Sequence, residues 1–494
     1  MAWSFGDGFD LYTAMADATN GYWEPPASNS PNLIAGRFAG GQAARFTGTT
    51  QSLVKTSGVN DGVHHIVCAI RQTTAIGGTN VGLCVNFLDG AVNQCAFGFR
   101  YDGAILLWQG AGGSGTLLAT YTGAVPVVNT WYAFEIEINI SNTGGYMNVR
   151  KNGNPVNDFA TATNLNTRNT SNNYANKIIL QQAVTGNQEL DDFFWRSDAS
   201  SVAWMGDLRC YTRMPASDAS VQFSRVPSTY LFSIGQSGVI AMSTSSRYTS
   251  FVAPYDGTVA SGTVSFTIGY TGNLKCSAFA SSAGGASPTT VLASATVITN
   301  PVVGANVITF GSPFAVTKGT TYWVGFMSDT VAGTFASNAT GIGGTATSTP
   351  YASFPVASPT GFSAGGSGIY YTLNIAVSSN STVVAEAQQD TLASYVYDST
   401  VGHTDLYNLT PVTTTTGSIV ALTTRGYMQK SDAGTRSAAM QLKSGATTVA
   451  SSTLVLSSSG LQWLYRMDLT DPNTGAAWTS ANANAVTIGP TVIS

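Results

Sequence analysis

The feature that most constrains this chain is the period of two in its apolar residues. Phe134-Glu135-Ile136-Glu137-Ile138-Asn139-Ile140 alternates apolar and polar residues without a break, and Val264-Ser265-Phe266-Thr267-Ile268 does the same. Successive side chains of a strand point to opposite faces, so such runs describe strands with one buried face. Thr321-Tyr322-Trp323-Val324-Gly325-Phe326 is nearly continuously apolar, as in a strand covered on both sides. Runs of this kind recur between Gly, Asn, Asp, Ser and Pro, whereas helical periodicity is almost absent. Lys151-Asn152-Gly153-Asn154 sets an Asn-Gly pair between two such runs, which favours a type I′ hairpin. The fold class is therefore all-β. With 494 residues, at roughly 150 residues per domain, tandem β-sandwich or jelly-roll domains are expected.

Charge divides the chain. Residues 1–225 hold 13 Lys/Arg and 16 Asp/Glu, residues 226–380 hold 3 and 2, and residues 381–494 hold 5 and 7. Turn and linker chemistry stands at both edges, in Arg225-Val226-Pro227-Ser228 and Ser378-Ser379-Asn380-Ser381-Thr382. Three domains are expected: 1–225, 226–380 and 381–494. The Thr413 to Thr416 run is too short to be low complexity.

Several function classes fall away. Only 9% of residues are charged, against about a quarter in typical domains. The net charge is -4 and there is no basic stripe, so no nucleic-acid partner is expected. No apolar run approaches the roughly 20 residues of a membrane-spanning helix, so no membrane insertion is expected. The start, Met1-Ala2-Trp3-Ser4-Phe5-Gly6, has no basic or apolar leader pattern, so synthesis in a cytoplasm without a secretory signal is expected. Cys68, Cys84, Cys95, Cys210 and Cys276 are widely spread without CxxC spacing, and read as thiols rather than a zinc site or a disulfide framework. His64 and His65 are adjacent, which on a strand sends them to opposite faces rather than to one metal. No cofactor and no metal are expected.

Four groups invite a chemical reading. In Leu190-Asp191-Asp192-Phe193-Phe194-Trp195-Arg196-Ser197-Asp198, two adjacent carboxylates on a regular strand point apart and cannot serve one substrate atom. A loop could still gather them around calcium, or one acid could accept backbone N–H groups while Phe194 or Trp195 packs inside. Glu135, Glu137 and Asn139 share a face with neighbours about 7 Å apart, a spacing that fits an acid/base pair across a glycosidic bond and equally a solvated polar stripe. Tyr322 and Trp323 fit a sugar platform or core packing. Ser399, His403 and Asp405 have triad chemistry but no G-x-S-x-G nucleophile turn.

Several stretches carry family resemblances. Leu190 to Phe194, Trp131-Tyr132-Ala133-Phe134-Glu135-Ile136 and the hairpin from Tyr146 to Gly153 resemble strands of laminin-G-like modules of the concanavalin A-like class, across about the first 210 residues. Glu135, Glu137 and Asn139 resemble the E-x-D-x-E strand of jelly-roll glucanases, with Glu at the central acid and Asn at the third position. Val291 to Val297 and Gly319-Thr320-Thr321-Tyr322-Trp323 are similar to jelly-roll modules of bacterial surface and phage proteins. The start, the stretch from Asp207 to Pro215, and the C-terminal stretches Val383 to Ala387, Ser399 to Tyr407, Lys430 to Arg436 and Asp471 to Trp478 resemble structural proteins of tailed bacteriophages. The resemblance implies a virion surface or tail-appendage protein that contributes to host glycan attachment. Its partners would be other virion proteins, host cell-surface glycan and further copies of itself. A purely structural decoration protein and a glycan hydrolase using Glu135 and Glu137 are the alternatives. The reading assigns no catalytic or metal residue and leaves the binding residues open.

Overall fold

The computed structural model describes the chain except residues 1–2, 13, 20, 27–28, 39–40, 74–78, 123–125, 156–161, 202, 228, 234–236, 242–244, 347–349, 385–393 and 413–417. The Thr413 to Thr416 run and the Ala385 to Ala387 stretch lie outside the described residues. Nearly every regular element is a strand, and the few helices span six residues or fewer. None of the described helices is long and apolar enough to cross a membrane.

The three expected stretches are met by two compact units. One comprises Met1–Met214, Glu386–Asp390 and Ser399–Ser494, the other Pro215–Ala385 and Thr391–Asp398. The middle stretch is thus an insertion, and the C-terminal stretch joins the first.

In the first unit two antiparallel sheets enclose one core. The eight-stranded sheet runs Asn154–Pro155, Tyr146–Lys151, Trp131–Asn139, Val63–Gln72, Gln188–Asp198, Gln42–Phe46 and Asn32–Ala35, with Trp3–Asp7 also on Gln188–Asp198. The six-stranded sheet runs Ser52–Asp61, Ala175–Gln182, Val81–Asp89, Val92–Arg100, Ile105–Gln109 and Thr116–Tyr121. Alternation decides what fills the space between them. Phe134, Ile136 and Ile138 from one strand meet Ile66, Cys68 and Ile70 from the next, with Trp195, Phe87 and Phe97 in the same cluster. Burying one such side chain contributes about 1.5–3 kcal/mol. The Asn-Gly hairpin forms as the sequence requires, with φ of 51° at Asn152 and 79° at Gly153, between Lys151 and its partner Asn154.

The C-terminal stretch adds a ribbon of Leu422–Met428 and Gln462–Asp468. Polar chemistry ties it to the sandwich. The Arg425 guanidinium lies 3.6 Å from the Tyr22 ring centre, donates to the Gly6 carbonyl at 2.6 Å, and reaches Asp7 Oδ1 at 3.2 Å. Asp7 also accepts from the Tyr12 hydroxyl at 2.8 Å and Trp23 Nε1 at 2.6 Å. Lys55 lies among the rings of Phe5, Tyr22 and Tyr465 at 4.5–5.4 Å and donates to the Tyr22 carbonyl. Burial pushes its ammonium down to about 7. This network is the physical reason that residues 399–494 do not stand apart.

The second unit is built on a twelve-stranded sheet system around Gly257–Ile268, which pairs with Gly304–Val316 and Tyr371–Val377. Its core is aromatic and aliphatic, and Tyr322 and Trp323 belong to it at 8% and 3% exposure. Trp323 Nε1 donates to Ser281 Oγ at 3.1 Å, so core packing rather than a sugar platform accounts for this pair.

Candidate functional site

Every acid singled out in the first 225 residues has a role in one arrangement. After the strand Gln188–Asp198 the chain leaves the sheet, and the described residues from 199 to 214 form no strand. This stretch works as a strap over the outer face of the eight-stranded sheet, and carboxylates fasten it. Ser201 Oγ donates to Glu137 at 2.7 and 2.9 Å. The amides of Met205 and Gly206 donate to Glu135, the latter at 2.9 Å. Asp207 forms a two-pronged pair with Arg37. The Cys210 amide donates to Asp192 Oδ1 at 2.7 Å. Backbone N–H groups outside a ladder need acceptors, and ionised carboxylates are the strongest ones a protein can supply.

The expectation of a solvated Glu stripe is corrected here. Glu135 and Glu137 do share a face, but each is only 3% exposed. Cross-strand pairing brings His65 opposite Glu137, and His65 Nε2 lies 2.9 Å from Glu135 Oε1. Tyr146 donates its hydroxyl to Glu137 at 3.0 Å, and burial followed by that carboxylate pushes the phenol up to about 12. A pair of glycosidase acids must flank a bond and admit water. These two are closed over by the strap. Asn139 instead closes a turn, donating to the Gly144 carbonyl at 3.0 Å.

A second correction concerns Asp191 and Asp192. The opposite-face argument assumes a regular strand, but the ladder slips between Asp191 and Phe194, and Asp192 takes a φ of 49°. Such a bulge re-aims side chains. Both carboxylates consequently turn towards Arg37, whose amide donates to Asp191 at 2.6 Å and whose guanidinium lies 3.6 Å from Asp192. Burial pushes Asp191 up to about 7, helped by its charged neighbour, and Asp192 up to about 6. The structural reading, an acid accepting backbone N–H groups beside a core aromatic, describes this pair: Trp195 is fully buried. No group of three or more His, Cys, Asp or Glu side chains is placed to hold a metal among the described residues.

His64 and His65 face opposite ways. His64 packs among Phe87 and Trp195 and accepts from Trp195 Nε1 at 3.3 Å, and burial pushes it down to about 3. The five cysteines are free thiols, four of them buried. Asp405 is fully buried and accepts the Tyr407 hydroxyl at 2.9 Å, while Ser399 is exposed.

Beside the strap, one open cleft of about 410 Å³ is lined by Arg196, Trp204, Ser418, Val420, Leu469 and Thr470 among others. That volume lies in the range of small-ligand sites. Trp204 is half-buried, with His65 at 5.3 Å edge-on and the Arg150 guanidinium 4.4 Å from its ring. Arg196 uses Nη2 on Asp198 at 2.9 Å. Sequence reasoning passed over these residues. The available signal was Trp204 itself, a large aromatic in a stretch with no strand alternation. The contributions of Ser418 and Thr470 arise from long-range packing and leave no local trace.

No protein-family model matches the chain, and no curated protein matches it. Among solved structures it is similar to the cellulose-induced protein Cip1, at 14% identity and a TM-score of 0.27 over 37% of this chain and 93% of that one. It is similar to the carbohydrate-binding module CBM66 from Bacillus subtilis, at 11% identity and a TM-score of 0.23 over 35% and 100%. It is also similar to a carbohydrate esterase from the Shiga toxin-encoding bacteriophage phi24B, at 15% identity and a TM-score of 0.27 over 37% and 92%.

Proposed function

We propose that this all-β protein binds glycans without cleaving them, at the cleft beside the strap, and that it does so on the surface or tail of a phage particle. The observation that carries the binding reading is the cleft: a half-buried indole, hydroxyls of Ser418 and Thr470, and apolar Val420 and Leu469 in one open depression. Sugars present apolar faces and many hydroxyls, and such mixed linings suit them. The closure of Glu135 and Glu137 supports binding over hydrolysis. The virion placement rests on the resemblances of the sequence, and other virion proteins and further copies of the chain are its proposed partners there.

A single shallow site binds weakly, so attachment would rely on many copies, where effective concentration raises avidity by about 10² to 10⁴. The full-length protein, coupled densely to beads, should retain host cells or their surface polysaccharide, and soluble protein should compete only at high concentration. Trp204→Ala should abolish retention with an unchanged far-ultraviolet circular dichroism spectrum. Retention undiminished in that variant would move the site elsewhere, and beads that capture nothing would overturn the reading.

A further inference from the structure

We infer that the cleft beside the strap selects acidic saccharides, those carrying a carboxylate on the sugar, over neutral ones. The inference rests on the glycan-binding reading and adds the ligand's charge to it.

Arg196 commits Nη2 to Asp198, and its Nη1 has no acceptor among the described residues. Its Nε lacks an acceptor too, but it is buried and so offers nothing to a ligand. Arg150, stacked on Trp204, forms no ion pair or hydrogen bond with any described residue. It stands opposite Glu135 in the ladder, but Glu135 gives its oxygens to Met205, Gly206 and His65. The indole N–H of Trp204 likewise has no acceptor among the described residues. No Asp or Glu lines the cleft among the described residues.

Arg196 in the cleft wall, with Arg150 behind it against the ring of the lining residue Trp204, is a cationic feature in a chain of net charge -4, local rather than a consequence of overall charge. A guanidinium facing a carboxylate makes the shorter and stronger kind of hydrogen bond. A neutral sugar can offer Nη1 only hydroxyls, which make the weaker bond beside the existing pair with Asp198. The Ser418 and Thr470 hydroxyls and the apolar Val420 and Leu469 then address the rest of the ring.

The test compares one polymer in two charge states. Polygalacturonate and its fully methyl-esterified form share a backbone and differ in the carboxylate, and dextran serves as a neutral third. Wild-type full-length protein on a densely coated sensor should hold the free acid at least about tenfold more tightly than the ester, the scale of one charged hydrogen bond. Arg196→Gln should erase that preference. Arg436→Gln, at an exposed arginine paired with Asp432, should keep it. Equal binding of acid and ester by wild type, or a preference untouched by Arg196→Gln, overturns the acidic-sugar inference and leaves glycan binding standing. Binding to none of these polymers, nor to host polysaccharide, overturns both. The acid-to-ester comparison is made on the wild type, so an unstable variant does not remove it.

Discussion

The two units solve the same problem with different chemistry. In the first, the buried polar residues include Asp7, Lys55, His64, His65, Glu135, Glu137, Glu189, Asp191 and Asp192. Among the described residues of the second they are Ser246, Thr249, Ser277, Asn306, Ser328, Ser337, Thr372, Asn380, Ser381 and Ser394, without one charge. The difference follows from what each unit has to hold. The second closes mostly through strand ladders, which satisfy their own backbone groups. The first must fix a strap with no ladder and a ribbon arriving more than 400 residues after the strand it contacts, as in the pair Asp7 and Arg425. Charge does that fastening, and buried charge also pairs across the ladder itself, where Glu189 sits between its cross-strand partners Arg45 and Arg71.

The largest test of this contrast is Arg425→Met. It leaves Asp7 buried without its cation, and breaking a buried pair by removing one partner costs about 3–5 kcal/mol. The first unit's unfolding transition in denaturant should fall accordingly and the second unit's should stay. Thr249→Val, which removes the oxygen accepting the Ile369 amide at 2.8 Å, is the matching change in the second unit and should cost about 1–3 kcal/mol. If both shifts are equal, charge is not the distinguishing fastener.

Next in size is Glu135→Gln. A solvated carboxylate would tolerate it, but this one receives two strap amides and His65. Loss of charge-assisted bonds should lower stability by about 2 kcal/mol. Limited proteolysis should then cut within residues 199–213 sooner than in the wild type. An unchanged digestion pattern would mean that the strap is held without Glu135.

Much of this was legible in the sequence, and the rest was hidden for definable reasons. Alternation around Phe134 and Val264 located strands because side-chain direction is a local property, and Asn152-Gly153 declared its turn for the same reason. The charge shift at 226–380 marked the unit whose interior is neutral. The bulge at Asp192 was invisible because a strand's register depends on its partners, here Val63–Gln72 and Trp3–Asp7. The closed state of Glu135 was invisible because its cover comes from residues 70 positions later. The docking of 399–494 rests on single side chains such as Arg425 and Trp463, and no spacing rule announces a contact of that range.

The pH dependence should separate the units with a smaller effect. Asp191 and Asp192 are raised to about 7 and about 6 from 3.8. The fold therefore keeps protons that the unfolded chain has released, and stability is lost as pH rises from about 4 through those values. Lys55 is lowered from 10.5 to about 7. Here the unfolded chain holds the extra proton, so stability is gained as pH rises from about 7 to about 10.5. His64, pushed down to about 3 by burial, opposes part of the acid-side loss between about 3 and 6.5, so the first unit should show a shallow minimum near neutrality, and the second a flat profile between about pH 4 and 8. Asp191→Asn should reduce the slope on the acid side and Lys55→Met the slope on the alkaline side. A second unit with an equal slope would break the comparison.

The smallest effect tests the neutral side directly. Thr263 Oγ1 and Thr372 Oγ1 lie 2.8 Å apart on neighbouring strands, each the other's partner. Replacing one by Val leaves the second hydroxyl with an unmade bond in a half-buried place, at a cost of about 1 kcal/mol. Replacing both removes donor and acceptor together and puts two β-branched apolar side chains side by side on a sheet, a pairing that strands favour. The double variant should therefore be within about 0.5 kcal/mol of the wild type and more stable than either single one, which a double-mutant cycle would report as a coupling of about 1 kcal/mol or more. The parallel cycle on Asp7 and Arg425 should not return to the wild-type value, because Tyr12, Trp23 and the Phe9 amide would all lose the acceptor that Asp7 supplies. A neutral pair can be deleted as a pair, whereas a charged fastener serves several donors at once. If the threonine cycle shows no coupling, or the Asp7 cycle closes to zero, the two interiors differ in composition alone and not in how they hold the chain.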